Sequence, residues 1–276
     1  DAADIVVGNG GTLTANASTV IINGFTMTGG TSGTLTITTG AWTVSGNWNS
    51  SGVGSTFTQG TGIVTFDATA TITLLSTDNT FDDLTISAGT ATLATNVIVT
   101  NGLIVSGGTL AKATFTLNMT TLTMSGGDLT STSGAVTITG AVSISSAASA
   151  IDFGSEAWTV SGTWTNASTD GTVWEAGTGS VTFDSATGGT MTFAGTNLAE
   201  DEFNSITFES SAGTAQTFTM ATRGLRLGGT LTISDATSTT ALDTSVGNLA
   251  VTAGAVTVGA GGILTANGST ITVNGN

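Results

Sequence analysis

The chain contains no cysteine, no proline, no histidine and no tyrosine. Without cysteine there is neither a disulfide framework nor a thiolate metal site, so the fold must rest on packing and backbone hydrogen bonds. Without histidine and tyrosine the usual general base and the commonest metal ligand are missing, which removes a member from most familiar enzyme mechanisms. Without proline every strand can donate along its whole length, at the cost of unprotected sheet edges. Basic side chains are almost absent too: Lys112, Arg223 and Arg226 stand against 18 acidic residues, for a net charge of -15. Nucleic acid is excluded as a partner on that balance. No run approaches the roughly 18 apolar residues that a membrane-spanning helix needs, so the chain is not expected to be membrane-embedded. It opens on Asp1-Ala2-Ala3-Asp4 with no basic or apolar leader, and the expectation is that an export signal has been removed. An acidic surface with a single lysine resists trypsin-like cleavage and stays soluble by self-repulsion, which suits an extracellular or cell-surface location.

What is present is a vocabulary of strands and turns: 62 Thr, 28 Ser and 40 Gly among 276 residues. Threonine favours strands because its branched β-carbon fits a pleated surface. Apolar and polar residues alternate in short bursts, as at Leu35 and Ile37, Trp42 and Val44, Val64 and Phe66, Leu84 and Ile86, Val181 and Phe183, and Leu231 and Ile233. Each burst reads as one half-buried strand. Gly-Gly or Asn-Gly pairs separate them, at Gly10-Gly11, Asn23-Gly24, Gly29-Gly30, Asn101-Gly102, Gly107-Gly108, Gly126-Gly127, Gly228-Gly229 and Asn267-Gly268. Such pairs supply the positive φ of tight corners, in hairpins and solenoids alike.

Long-range repetition favours the solenoid. Ala41 to Gly46 recurs as Ala157 to Gly162, and Trp48 returns as Trp164 at the same offset. Val64-Thr65-Phe66-Asp67 recurs as Val181-Thr182-Phe183-Asp184, Phe81 with Leu84 and Ile86 as Phe203 with Ile206 and Phe208, and Gly107 to Leu110 as Gly228 to Leu231. Residues 41–110 thus map onto 157–231. A second repetition joins the two ends: residues 5–24 align without gaps on 256–275, with 12 of 20 positions identical. A solenoid normally ends in a polar cap, so matching uncapped ends point to continuation into another copy or to a piece of a longer array.

The blocks W-x-V-S-G-x-W (Trp42 to Trp48), G-T-G-x-V-T-F (Gly60 to Phe66), F-x-x-L-T-I (Phe81 to Ile86) and L-x-V-S-G-G-T-L (Leu103 to Leu110) resemble the Thr/Gly-rich β-strand repeats of bacterial and archaeal surface proteins. These are adhesin-like and fibre-forming chains similar to autotransporter passengers. The resemblance covers residues 5 to 275 and implies a parallel β-helix, export, and a role in surface architecture or attachment. It brings no catalytic residues, and nothing within residues 1–276 corresponds to the translocator, sorting tail or anchor of full-length members.

Three groups of side chains qualify as candidate sites. Asp78, Asp82 and Asp83 form a carboxylate cluster able to offer oxygen ligands to calcium. The repeat copy sets Asn204 and Ser205 against Asp82 and Asp83, and the bland reading is a solvated acidic loop. Asp67 and Asp184 survive in both copies, yet they lie in different repeats, which favours turn caps over a glycosidase acid and base. Trp48, Trp164 and Trp174 are the surface candidates for stacking on sugar rings, since Trp42 and Trp158 keep phase with the core. The five Asn-x-Ser/Thr sequons, at Asn16, Asn49, Asn118, Asn166 and Asn267, match the number that chance yields at this composition.

The expectation is therefore an all-β protein whose residues 1–276 form a single elongated repeat domain, a parallel β-helix, right-handed by preference, with rungs of roughly 20 residues. Tandem β-sandwich domains exchanging donor strands are the alternative fold. The expected function is an extracellular filament, sheath or fibre assembled end to end from copies of itself, with no catalysis and no cofactor. An adhesin holding glycan or a host protein is the second reading, and a polysaccharide-degrading β-helix enzyme the remote third.

Overall fold

The computed structural model describes residues 3–27, 33–75, 77, 79–167, 174–193, 203–210 and 213–275, with only the backbone described for Trp174 and Glu175. Among them there are strands and no helix, as the scarcity of strong helix formers requires. Every strand pairing described is parallel. The fold is a parallel β-solenoid, and the tandem β-sandwich, which needs antiparallel pairs, is set aside. The chain divides into two compact units, residues 1–134 and 135–276, where the sequence suggests one repeat domain.

In the first unit the early turns are made of three short strands, and later ones run two of these together as Val97–Val105 and Leu117–Met124. Ile5–Val7, Thr12–Ala15 and Val20–Ile22 form the first rung. Phe25–Met27, Thr34–Ile37 and Ala41–Val44 form the second, in register on the first at Ile5/Phe25, Thr12/Thr34 and Val20/Trp42. Side chains alternate inward and outward along each strand, so like residues stack from rung to rung. One inward ladder runs Trp42, Val64, Leu84, Leu103, Leu122, all buried. Glycine is required where corners touch: Gly108 has φ +72, and a Cβ there would run into the carbonyl oxygen of Gly89 in the rung below.

The second unit repeats the plan. Its inward ladder Trp158, Val181, Ile206, Leu231, Val256 sits beside an outward ladder Thr159, Thr182, Thr207, Thr232, Thr257. Most of the duplication is structural, because Trp42/Val64/Leu84 and Trp158/Val181/Ile206 hold equivalent places. The segment Gly228 to Leu231 is an exception. Leu231 continues the Trp158 ladder, whereas Leu110 belongs to a different ladder, Ala91, Leu110, Leu129. Turn length explains this: a rung takes 19 residues where Thr90 pairs Thr109 but 29 where Gly189 pairs Phe218, so equal sequences fall on different faces.

Each unit has an aromatic cluster in its core. Phe25, Trp42, Trp48, Phe57 and Phe81 interlock in the first, with Phe25 and Trp48 centroids 4.5 Å apart and Trp42 meeting Trp48 edge to face at 5.9 Å. Phe153, Trp158, Trp164, Phe183 and Phe203 do so in the second. Such rings bury the largest areas and hold preferred edge and offset geometries.

Candidate functional site

Trp48 and Trp164 are fully buried within these clusters, which corrects their assignment as surface residues for sugar stacking. Each sits on a short strand whose alternation turns it inward, paired with Phe25 and Ile72 for Trp48 and with Val142 and Met191 for Trp164. A ring with no exposed face stacks on no ligand. The side chain of Trp174 lies outside the described residues. The indole N–H groups of Trp42 and Trp158, at matching positions of the two units, are buried without an acceptor.

Asp78 lies outside the described residues. Asp82 accepts a hydrogen bond from Thr100 Oγ1 (3.0 Å), and Asp83 accepts from Asn101 Nδ2 and the Gly102 N–H (2.9 Å). Both carboxylates are thus engaged by the next rung. Among the described residues no group of three acidic, His or Cys side chains is placed to hold a metal ion. Asp67 accepts from Ser45 Oγ (2.7 Å), a rung-to-rung bond, and Asp184 stands in register beside Glu209.

Glu209 and Asp235 line an open cavity of about 330 Å³ with Ser210, Ser234, Ala236 and Thr237. Burial, together with the neighbouring Asp184 and Asp235 carboxylates, pushes the Glu209 carboxyl up. Asp235 has the opposite surroundings. The Ser238 hydroxyl (2.5 Å) and the Thr237 N–H (2.8 Å), followed by the Ser238 N–H and the Thr237 hydroxyl, hold its carboxyl well below the usual range. The network closes the corner before Thr240–Asp243 as an Asx turn does.

Two features went unread in the sequence. Lys112 is fully buried, with Nζ donating to the carbonyl oxygens of Phe115 (2.9 Å), Ser133 (2.6 Å) and Gly134 (2.5 Å). Alternation from inward Leu110 signals it, since two residues on is inward again. Nearby, Asn79, Thr95, Asn96 and Phe115 line a second cavity, of about 260 Å³.

The strand edges of the first and last rungs form a further candidate site. The last rung consists of Ala255–Val258, Gly262–Thr265 and Ile271–Val273. It matches the first strand for strand, and the corners match as well: Gly10 and Gly261 have φ of +70 and +68, and Gly11 and Gly262 donate to the Gly8 and Gly259 oxygens at 2.9 and 3.1 Å. Along a parallel strand alternate residues turn their N–H and C=O to opposite edges. In the first rung, bonds from Ile5 to Gly24, from Thr34 to Gly11, from Thr38 to Ala15 and from Ser45 to Ile22 commit residues 5, 11, 15 and 22 to the second rung. Val6, Thr12, Thr14 and Ile21 face the other edge. In the last rung, bonds joining Gly259 to Ile233, Thr240 to Gly261, Thr244 to Thr265 and Val251 to Thr270 commit residues 259, 261, 265 and 270 to the preceding rung. Val256, Val258, Leu264, Ile271 and Val273 face away from it, and no ladder partner for that edge is described. Their inward side chains are open as well, with Val258 48% and Val273 53% exposed.

No helix among the described residues is long and apolar enough to cross a membrane. No family model, curated protein or solved structure matches the chain.

Proposed function

We propose that the chain is a non-catalytic structural protein of the cell exterior that builds a filament, sheath or surface fibre by head-to-tail association of its copies. One observation carries the reading: the first and last rungs share their sequence, their three strands and their corner geometry, and each leaves one strand edge without a described partner. Exposed parallel edges template further pairing unless charge, proline or a covering segment blunts them. Here there is no proline, and neither 5–24 nor 256–275 contains a charged residue. Stiffness follows from the ladder, since an inner rung bonds to both neighbours, and the scarcity of basic residues, which resists trypsin-like cleavage, suits an exterior location.

Electron microscopy of the purified native chain over a concentration series tests the reading. Filaments with strands stacked along the axis at a spacing of about 4.8 Å are expected. Particles that stay monomeric at high concentration with both termini intact overturn it.

The adhesin reading keeps one specific observation, the cavity at Phe115. A half-buried ring beside the amides of Asn79 and Asn96 and the hydroxyl of Thr95 offers an apolar face and polar rim of the kind that holds a sugar ring. Glycan-array binding that disappears in Phe115→Ala with the fold intact would favour it.

A further inference from the structure

We infer that the junction between two copies has a single register, in which each residue of the last rung of one copy lies beside the residue 251 positions earlier in the first rung of the next. The inference rests on the head-to-tail reading and adds the contacts that make it specific.

The edges are complementary at this register. Leu264 faces outward from its own copy between the positions that Thr12 and Thr14 of the second copy would take. Its N–H would donate to the Thr12 oxygen and its oxygen would accept from the Thr14 N–H, as happens inside the chain where Thr34 donates to the Gly11 oxygen. On the other two faces Val6 falls between Val256 and Val258, and Ile21 between Ile271 and Val273, with the same parity. A shift by one residue would turn every inward side chain outward.

The side chains then continue the existing ladders. Inward, Leu231 and Val256 would be followed by Ile5, Ile233 and Val258 by Val7, Leu242 and Leu264 by Leu13, and Ala253 and Val273 by Ile22. Each step joins aliphatic side chains of similar volume, and the half-exposed Val258 and Val273 are covered. Outward, Thr257, Ile263 and Thr272 meet Val6, Thr12 and Ile21, β-branched on β-branched, the pairing that suits a pleated face.

Corner length selects a second copy over any other rung of the chain. Turns range from 18 residues, where Thr80 pairs Ile98, to 29, where Gly189 pairs Phe218, so most rungs set on the last one would bring their corners into conflict. The first rung fits it with no insertion. Charge agrees, because copies that each carry -15 repel, and the segments that would meet, 5–24 and 256–275, contain no charged residue.

The test uses the full chain, which has no native cysteine. In the double variant Thr14→Cys/Thr265→Cys the two positions are direct neighbours across the junction. Their Cα separation of about 4.8 Å lies within the roughly 4.4–6.8 Å that a disulfide spans. Mild oxidation is expected to give a ladder of covalent dimers, trimers and larger species that collapses on reduction. The control Ile21→Cys/Thr265→Cys places its thiols on different faces and is expected to give none. Thr14→Pro removes an N–H that faces the free edge and bonds nothing within its own copy; with an unchanged circular dichroism spectrum it should weaken self-association about tenfold or more in sedimentation. Association of the unsubstituted chain without the 14/265 ladder, or unaffected by Thr14→Pro, overturns the register and leaves the head-to-tail reading standing. A chain that does not self-associate at all overturns both.

Discussion

The first and last rungs share most of their sequence and differ in what they bury. Val7 is 4% exposed and Ile22 3%, whereas their counterparts Val258 and Val273 are 48% and 53% exposed. The neighbours account for the difference. The first rung lies against Phe25, Met27, Leu35, Ile37, Trp42 and Val44, two of them large aromatics. The last rung lies against Leu231, Ile233, Leu242, Val251 and Ala253, none of them aromatic. Burial in a solenoid belongs to the pair of rungs and not to the rung, so one sequence is nearly covered in one place and half exposed in another.

The sharpest way to break this contrast is to take away the cover of the first rung. Trp42 stacks directly on Val20 and is fully buried, so Trp42→Ala is expected to cost about 3–5 kcal/mol in urea unfolding and to expose the first rung to hydrogen exchange. Trp42→Phe should cost far less, because it also removes a buried indole N–H that has no acceptor. The equivalent glycines give the next largest difference. A Cβ on Gly262 would collide with the Ile233 carbonyl oxygen of the rung below, while one on Gly11 would meet only its own corner, at 3.0 Å from the Gly8 oxygen. Gly262→Ala is expected to cost about 1–3 kcal/mol and Gly11→Ala less than about 1 kcal/mol, both read from denaturant midpoints.

The equivalent valines sharpen the comparison further. Val7→Ala should cost about 2 kcal/mol in dilute protein and Val258→Ala under about 1 kcal/mol. The proposed junction would bury Val258, so at concentrations where copies associate the gap is expected to close.

The smallest effects are electrostatic. The Asp235 N–H donates to the Ala260 oxygen of the last rung (2.8 Å), and its carboxyl is held below the usual range. Its stabilising contribution is therefore present above the ordinary carboxylate pKa of about 3.9 and is lost as pH falls below it. Amide exchange in Gly262–Thr265 should speed up in acid before exchange in Thr12–Ala15 does, and Asp235→Asn should remove that selective response. Glu209, whose carboxyl is pushed up, has the opposite sign: its unfavourable charge is present at neutral pH and relieved on acidification. Glu209→Gln is expected to raise the melting midpoint by about 1 °C at pH 7 and by nothing in acid.

Much of the fold is legible in the alternation. Trp42 and Trp158 keep phase with Val44 and Val160, and all four are buried. Trp48 and Trp164 escaped because their strands are only two and three residues long, too short for alternation to show which way they face. Asp82 and Asp83 read as calcium candidates or a solvated acidic loop because nothing in the sequence says that Thr100, Asn101 and Gly102 lie one rung above them. Lys112 was readable by parity, but a lone lysine suggests solvent until the three carbonyls around it are seen.

By itself the sequence determined the chemistry of the surfaces. β-Branched alternation makes strands, glycine makes corners, and the uncharged ends are fixed by composition alone. The tertiary structure decided what each position touches. Rung length varies, so only the folded register shows which residues stack, which of two equal sequences is covered, and which strand edges remain open.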